Sequence, residues 1–417
     1  ALALICVVSC AKIDDESSAV APEQPAPPTV LLPTRSYEEA LSLARKSIAL
    51  VDRGQTRSAT ARSIRSERGQ CVTTPSTRSG AGSDTLMYVF NFENNDGFSV
   101  IAANRAVDPV LAVAEKGNYT YGEPTGVENF DFYMDAMAQS LAVIKPPKFD
   151  TIRTTPKFKT VEVNESRSCD PLIPVRWGQR SPYGDYCSNG YSGCVATAIA
   201  QIMAYYRFPS SFTTTYTDAP HAGETIALNW TSIISYPYVY QVPALMREIG
   251  QRVEMTYHPI DENDMETGSS AFSYMAPDCL ISFGYSCASG LASYAIASIR
   301  TNLDETHPVY VRANDISEGG HAWIADGYIY SRIGTEYYEE ILIDNGLTLY
   351  YDYILTNSTV QTTNLVHYNW GWNGSCDGYF APGDGVASGN GYIFNGLQMI
   401  TSIRLPRIDS NLNQDFL

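Results

Sequence analysis

The stretch Gly193-Cys194-Val195-Ala196-Thr197-Ala198-Ile199-Ala200-Gln201-Ile202-Met203-Ala204-Tyr205-Tyr206-Arg207-Phe208-Pro209 constrains the fold more than any other. Val195, Ile199, Ile202, Met203 and Tyr206 recur at helical spacing, alanines fill the positions between them, and Pro209 requires the helix to have ended. Cys194 therefore stands at a helix N-terminus. Free backbone N–H groups and the positive end of the helix dipole stabilise an anion there, which favours a thiolate nucleophile. Gly193 allows the chain to turn sharply into the helix.

Taken alone, a cysteine in this position is more often a small buried hydrophobe. Two downstream segments tip the balance, because a thiolate needs a base and the base needs an orienting group. His321, in Glu318-Gly319-Gly320-His321-Ala322-Trp323, follows Cys194 by roughly 130 residues, the order and spacing of papain-type enzymes. Asn369 then opens Asn369-Trp370-Gly371-Trp372. With Trp177-Gly178-Gln179-Arg180-Ser181-Pro182-Tyr183 upstream, these motifs resemble the streptopain family of papain-fold cysteine peptidases, from Pro171 to about Leu405.

The resemblance implies an α+β fold: a papain-like, two-lobed catalytic domain preceded by a small α+β propeptide domain. It implies Cys194 as nucleophile, His321 as its ion-pair partner and proton donor, and Gln179 as oxyanion-hole donor beside the Cys194 N–H. Asn369 would orient the imidazole and Trp370 or Trp372 would shield that contact; the sequence does not decide between Asn369 and Trp370. Gly268, Ser269 and Ser270, with Gly320 and Trp372, are expected to border a substrate groove that favours a hydrophobic residue at the second position before the scissile bond. Asp326, five residues after His321, has the wrong strand parity to serve it. His367 is expected to have a packing or surface role. No cofactor or metal is implied, and the cysteines show no C-x-x-C pair of the metal-binding kind.

Charge is distributed unevenly. Residues 1–170 hold 18 Lys and Arg against 21 Asp and Glu, whereas residues 171–417 hold 10, all arginine, against 24. So acidic a C-terminal half repels phosphate backbones, and no nucleic-acid partner is expected. The asymmetry suits either solubility or attraction toward the less acidic N-terminal half.

Residues 1–10 read as the end of a signal peptide, closing on Val7-Val8-Ser9-Cys10, which resembles a lipobox with Cys10 as the acylated residue. The alternative is an ordinary signal end. Membrane contact is expected only through that anchor, in a bacterial cell envelope, or not at all in a secreted form. Residues 11–32 form an acidic, then proline-rich linker. Residues 33–145 are expected to form a propeptide domain that latches the enzyme shut. Within it, Ser36 and Glu39 make a capping box before a helix, 52–84 reads as a mobile loop, and 85–92 and 98–103 read as a hairpin. A strand over 109–114 and a helix over 130–144 complete the domain. Residues 146–170, basic and unpatterned, read as an exposed activation linker, and 171–417 as the catalytic domain. There the spacing predicts helices over 242–255 and 291–303 and strands over 309–312, 321–328, 337–343 and 365–370. The function expected is a zymogen cysteine endopeptidase acting on proteins or peptides. A transglutaminase or amidase would share the same residues, and a noncatalytic surface lipoprotein would need none of them.

Overall fold

The computed structural model describes residues 34–51, 63–64, 69–73, 85–144, 158–259, 268–287, 290–315, 319–344, 349–383 and 396–406; the leader with Cys10 and the proline-rich linker lie outside them. The first helix, α1 (Tyr37–Val51), opens on the capping box: Ser36 Oγ accepts the Glu39 N–H at 3.3 Å, and the Glu39 carboxylate accepts the Ser36 N–H at 3.2 Å. Its buried Ala40, Leu41 and Ala44 pack on Tyr88, Phe90 and Ile101 of an antiparallel sheet. That sheet comprises β1 (Gln70–Thr73), β2 (Thr85–Asn91), β3 (Phe98–Ala102) and β4 (Val110–Ala114). Asn94 and Asn95 turn the β2–β3 hairpin at φ 60° and 59°, the left-handed region that asparagine tolerates best among residues with a side chain. The loop expected over 52–84 thus contains a strand. Val72 is the one buried residue of β1, and a single buried position leaves no alternation to read.

Helix α2 (Glu128–Val143) follows, burying Phe130, Tyr133, Met134, Met137 and Leu141 along one face. The linker expected over 146–170 also needs correction. Its second half is β5 (Phe158–Cys169), paired antiparallel with a later strand from Phe158–Glu339 to Cys169–Tyr328. Among its described side chains only Val163 is buried, so main-chain hydrogen bonds hold β5, and such a ladder leaves no hydrophobic pattern. Residues 145–157 fall outside the described residues.

One lobe of the C-terminal half is built round α3 (Cys194–Tyr206), with the hairpin β6 (Ser211–Thr213) and β7 (Thr225–Ala227), then α4 (Trp230–Ser235) and α5 (Gln241–Arg252). The short pair β8 (Thr256–Tyr257) and β9 (Ser269–Ser270) and helix α6 (Ala276–Ser282) complete it. Ile199, Ile202, Met203, Leu245, Ile249 and Leu280 share its core.

The other lobe holds β10 (Ala292–Ser293), α7 (Ile296–Asp304), β11 (Val309–Asp315), β12 (Gly319–Asp344), β13 (Leu349–Ser358), β14 (Gln361–Asn369), β15 (Gly378–Phe380) and β16 (Gln398–Ile400). The helix expected from Leu291 starts only at Ile296, because Ala292 and Ser293 pair with β16. The two strands expected over 321–328 and 337–343 are one continuous strand.

Among the described residues, β4 pairs with β15 through Ala112–Phe380, Val113–Tyr379 and Ala114–Gly378, which joins the N-terminal sheet to that of the second lobe. The side chains merge too. Phe98, Phe130 and Tyr133 belong to the same buried cluster as Trp323, Tyr368, Trp370 and Phe380.

Candidate active site

Gly193 enters α3 at φ 82°, and a Cβ there would lie 2.8 Å from the Met255 side chain, so both conformation and space call for glycine. The Cys194 thiol receives the N–H groups of Cys194 and Val195 from the helix start and that of Ala322, the residue after His321, from β12. The nucleophile candidate and the His321 segment therefore meet. Contrary to the helix-terminus argument, burial pushes this thiol up to about 11, against the pull of those three donors, and the Glu128 carboxylate of α2 adds to the rise. Cys194 keeps some solvent exposure and packs against the core of its own lobe.

The first two turns of α2 lie at this site. Phe132 packs on the His321 ring, centroids 5.6 Å apart. Asn129, fully buried, donates through Nδ2 to the carbonyls of Ala322 at 2.6 Å and Trp370 at 3.2 Å. Tyr133 donates its hydroxyl to the Ala381 carbonyl at 2.5 Å, and Phe130 meets Trp370 and Phe380 edge-on.

Gln179 is buried, and its carbonyl accepts the N–H of Ser192 at 2.9 Å, which ties the Trp177–Gln179 segment to the residue two before Cys194. Ser269 lies 3.3 Å from where a Gly193 Cβ would stand, and Asn189 holds it by donating to both Ser269 Oγ and the Gly268 carbonyl at 3.1 Å. Gly268, Ser269 and the exposed Ser270 thus flank the turn into α3, while Gly320 is exposed beside His321. Trp370 is fully buried and donates its indole N–H to the Cys376 carbonyl at 3.0 Å. Trp372 is partly exposed at the margin of the same cluster.

Asn369 departs from its expected role in this arrangement. Its Nδ2 donates to the Val175 carbonyl and to Gln201 Oε1, both at 3.1 Å, and its Oδ1 accepts from Gln201 Nε2 and the Gly371 N–H, both at 3.0 Å. Two donor hydrogens and two lone pairs are all an amide has, so no capacity is left for an imidazole. Gln201, not singled out from the sequence, is the partner responsible. Fully buried two turns along α3, it also accepts the Trp177 N–H at 2.9 Å. The signal was present: a lone amide in a helix otherwise apolar or small from Val195 to Met203 must have buried partners.

Residues 177–380 match the Peptidase C10 family and residues 32–141 match the Spi protease inhibitor family. The chain carries a Peptidase C10 family domain. Streptopain of Streptococcus pyogenes is 24% identical over 367 residues, covering 75% of this chain and 80% of streptopain. The thiol protease/hemagglutinin PrtT of Porphyromonas gingivalis is 24% identical over 354 residues, 74% of this chain and 36% of that protein. Among solved structures, a fragment of prointerpain A from Prevotella intermedia is similar at 21% identity and a TM-score of 0.47, covering 80% of this chain and 98% of the fragment. The C10 domain is that of a cysteine-type peptidase with the α+β fold described above, carried behind a propeptide inhibitor domain.

The C10 chain holds a second buried polar cluster. His367, 2% exposed, bonds Asp326 through Nδ1 at 2.6 Å, so the sequence reading of a packing or surface role is replaced by a buried ion pair. Burial alone would lower the imidazole pKa, but Asp326 and the propeptide's Glu115 override it and raise it to about 10. The seven cysteines among the described residues are free thiols.

Proposed function

We propose that this zymogen is an endopeptidase whose chemistry is carried by Cys194 and His321. The observation that supports it most is the meeting of the α3 start with the His321–Ala322 segment at one sulfur. In the active form the thiolate attacks the peptide carbonyl, forming a C–S bond and an oxyanion. The Cys194 N–H and the Gln179 side chain receive that oxyanion; losing one such donor costs about 100–1000-fold in turnover. As the C–N bond breaks, the imidazolium passes its proton to the departing amine. Water then hydrolyses the thioester, with the imidazole taking its proton.

Asn369 and Gln201 act as the brace behind this site, and Trp370 and Trp372 wall off its sheet side. Gly268, Ser269, Ser270, Gly320 and Trp372 border the substrate groove, with a hydrophobic residue favoured at the second position before the scissile bond. The domain plan keeps residues 33–145 as inhibitor and 171–417 as catalytic domain.

Latency has a physical basis in α2. Phe132 covers His321, Asn129 occupies carbonyls on the sheet wall, and a thiol held near 11 carries almost no thiolate at neutral pH. Activity requires α2 to leave. We further propose an extracytoplasmic location, with Cys10 acylated as a lipid anchor.

The test is incubation of the purified, activated protein with denatured casein under reducing conditions, with the products mapped by mass spectrometry. Internal cleavages that vanish in Cys194→Ala support the reading. Transamidated products, or equal activity in that variant, would overturn it.

A further inference from the structure

The contact between β4 and β15 runs on past the strands. The Glu115 N–H donates to the Asp377 carbonyl at 2.8 Å, so a main-chain ladder fixes where the Glu115 side chain points. It points between two cations of the peptidase domain. One carboxylate oxygen is paired with the Arg176 guanidinium, and the other lies 3.6 Å from His367 Nε2. That Nε2 is buried and has no hydrogen-bond partner within 3.5 Å among the described residues, while Nδ1 of the same ring is held by Asp326. His367 is therefore fixed with its second nitrogen aimed at the space that Glu115 occupies. Glu115 itself is 10% exposed.

We propose that Arg176 and His367 form a carboxylate-binding site on the peptidase domain, read by Glu115 at the end of an added edge strand. The site is separate from the Cys194 cleft, and its ligand is a carboxylate delivered by a strand in register with β15. Burial of an isolated carboxylate is costly, so Glu115 seats only where both cations wait. Strand addition supplies affinity without side-chain selectivity. The carboxylate supplies the selectivity: a segment of equal β-propensity without an acid at that position leaves the buried His367 Nε2 facing no acceptor and Arg176 without its ion pair. Glu115 is held as the anion, its carboxyl lowered to about 2 because His367 and Arg176 together outweigh burial.

The inference rests on the latency reading, and its test separates the two. Glu115 lies in the propeptide domain, so Glu115→Gln leaves the catalytic domain's sequence untouched. In the full-length active chain, Glu115→Gln is expected to shorten the lag before self-activation at least about tenfold, since breaking a buried charge pair weakens docking and Arg176 keeps part of its solvent contact. A reversed pair, Glu115→Arg with Arg176→Glu, restores part of the lag, whereas Glu115→Arg alone does not. A readout free of peptidase activity comes from hydrogen exchange in the full-length Cys194→Ala chain. Glu115→Gln should speed exchange at Glu115, Val113 and Tyr379, whose N–H groups face across the β4–β15 ladder, and leave the interior of α3 unchanged. An unchanged lag together with unchanged exchange at β15 would overturn the proposal. Faster exchange in a chain with no peptidase activity would uphold it while removing the functional reading.

Discussion

Replacing Gln201 by leucine tests whether one buried amide braces three motif segments. The side chains are nearly isosteric, so packing changes little, but three partners lose their bond: the Trp177 N–H, one Asn369 N–H and one Asn369 lone pair. Trp177 and Asn369 are 2% and 3% exposed, so water cannot replace Gln201. Each orphaned buried group costs about 1–3 kcal/mol. Asn369 Oδ1 keeps Gly371, and removing the amide's own burial returns part of the loss, so the net penalty is about 2–4 kcal/mol. The assay is urea unfolding in the Cys194→Ala background, paired with steady-state kinetics in the active one. We expect a lower midpoint and a fall in kcat of about 10–100-fold with a smaller change in KM, because the Trp177–Gln179 segment loses its tether to α3. Gln201→Glu adds a diagnostic. A buried carboxyl has a raised pKa, and only its protonated form can donate to Asn369 Oδ1, so this variant should lose less at pH 5 than at pH 8. A Gln201→Leu protein within 0.5 kcal/mol of the parent, with unchanged kcat, would refute the brace.

Cys194→Ala should abolish both hydrolysis and labelling by an alkylating epoxide. In the intact proenzyme, Cys194 should react with iodoacetamide much more slowly than after activation, as a thiol at about 11 requires. Tyr133→Phe removes the hydroxyl bonded to Ala381 and should weaken propeptide docking by about 1–3 kcal/mol, read as a shorter activation lag. His367 has a pKa of about 10 in the folded chain against 6.5 unfolded, so it binds an extra proton in the native state between those values. Its stabilisation is complete below pH 6.5 and lost as pH rises through 10; thermal melts of the proenzyme should show that decline, and His367→Gln should flatten it.

Local periodicity made α1, α2, α3 and the β2–β3 hairpin legible, because each buries a face at a fixed repeat. Order along the chain pointed to Cys194 and His321, and the resemblance of Trp177-Gly178-Gln179 to a family motif pointed to Gln179. What escaped is the choice of partner, which has no local signature even where, as at Gln201, the need for one can be read. Gln201 and Asn369 are 168 residues apart and Asp326 and His367 are 41 apart, so their pairing exists only once strands and helix have met. β5 was hidden because its hydrogen bonds are main-chain. The Cys194 thiol shows the same division: the helix start supplies the donors that local reasoning names, but burial in the folded protein reverses the outcome.

The merged aromatic cluster gives this protein an optical property. All five tryptophans lie in the peptidase half, at 177, 230, 323, 370 and 372, and the propeptide has none. Trp323 and Trp370 are buried against Tyr133 of α2, with Phe130 edge-on to Trp370, so departure of the helix opens two indoles to water at once. Their emission should shift to the red and their acrylamide quenching should rise in step with domain separation. The chain therefore carries an intrinsic fluorophore pair at the seam that opens, and the physical undocking step becomes observable without substrate, label or cleavage.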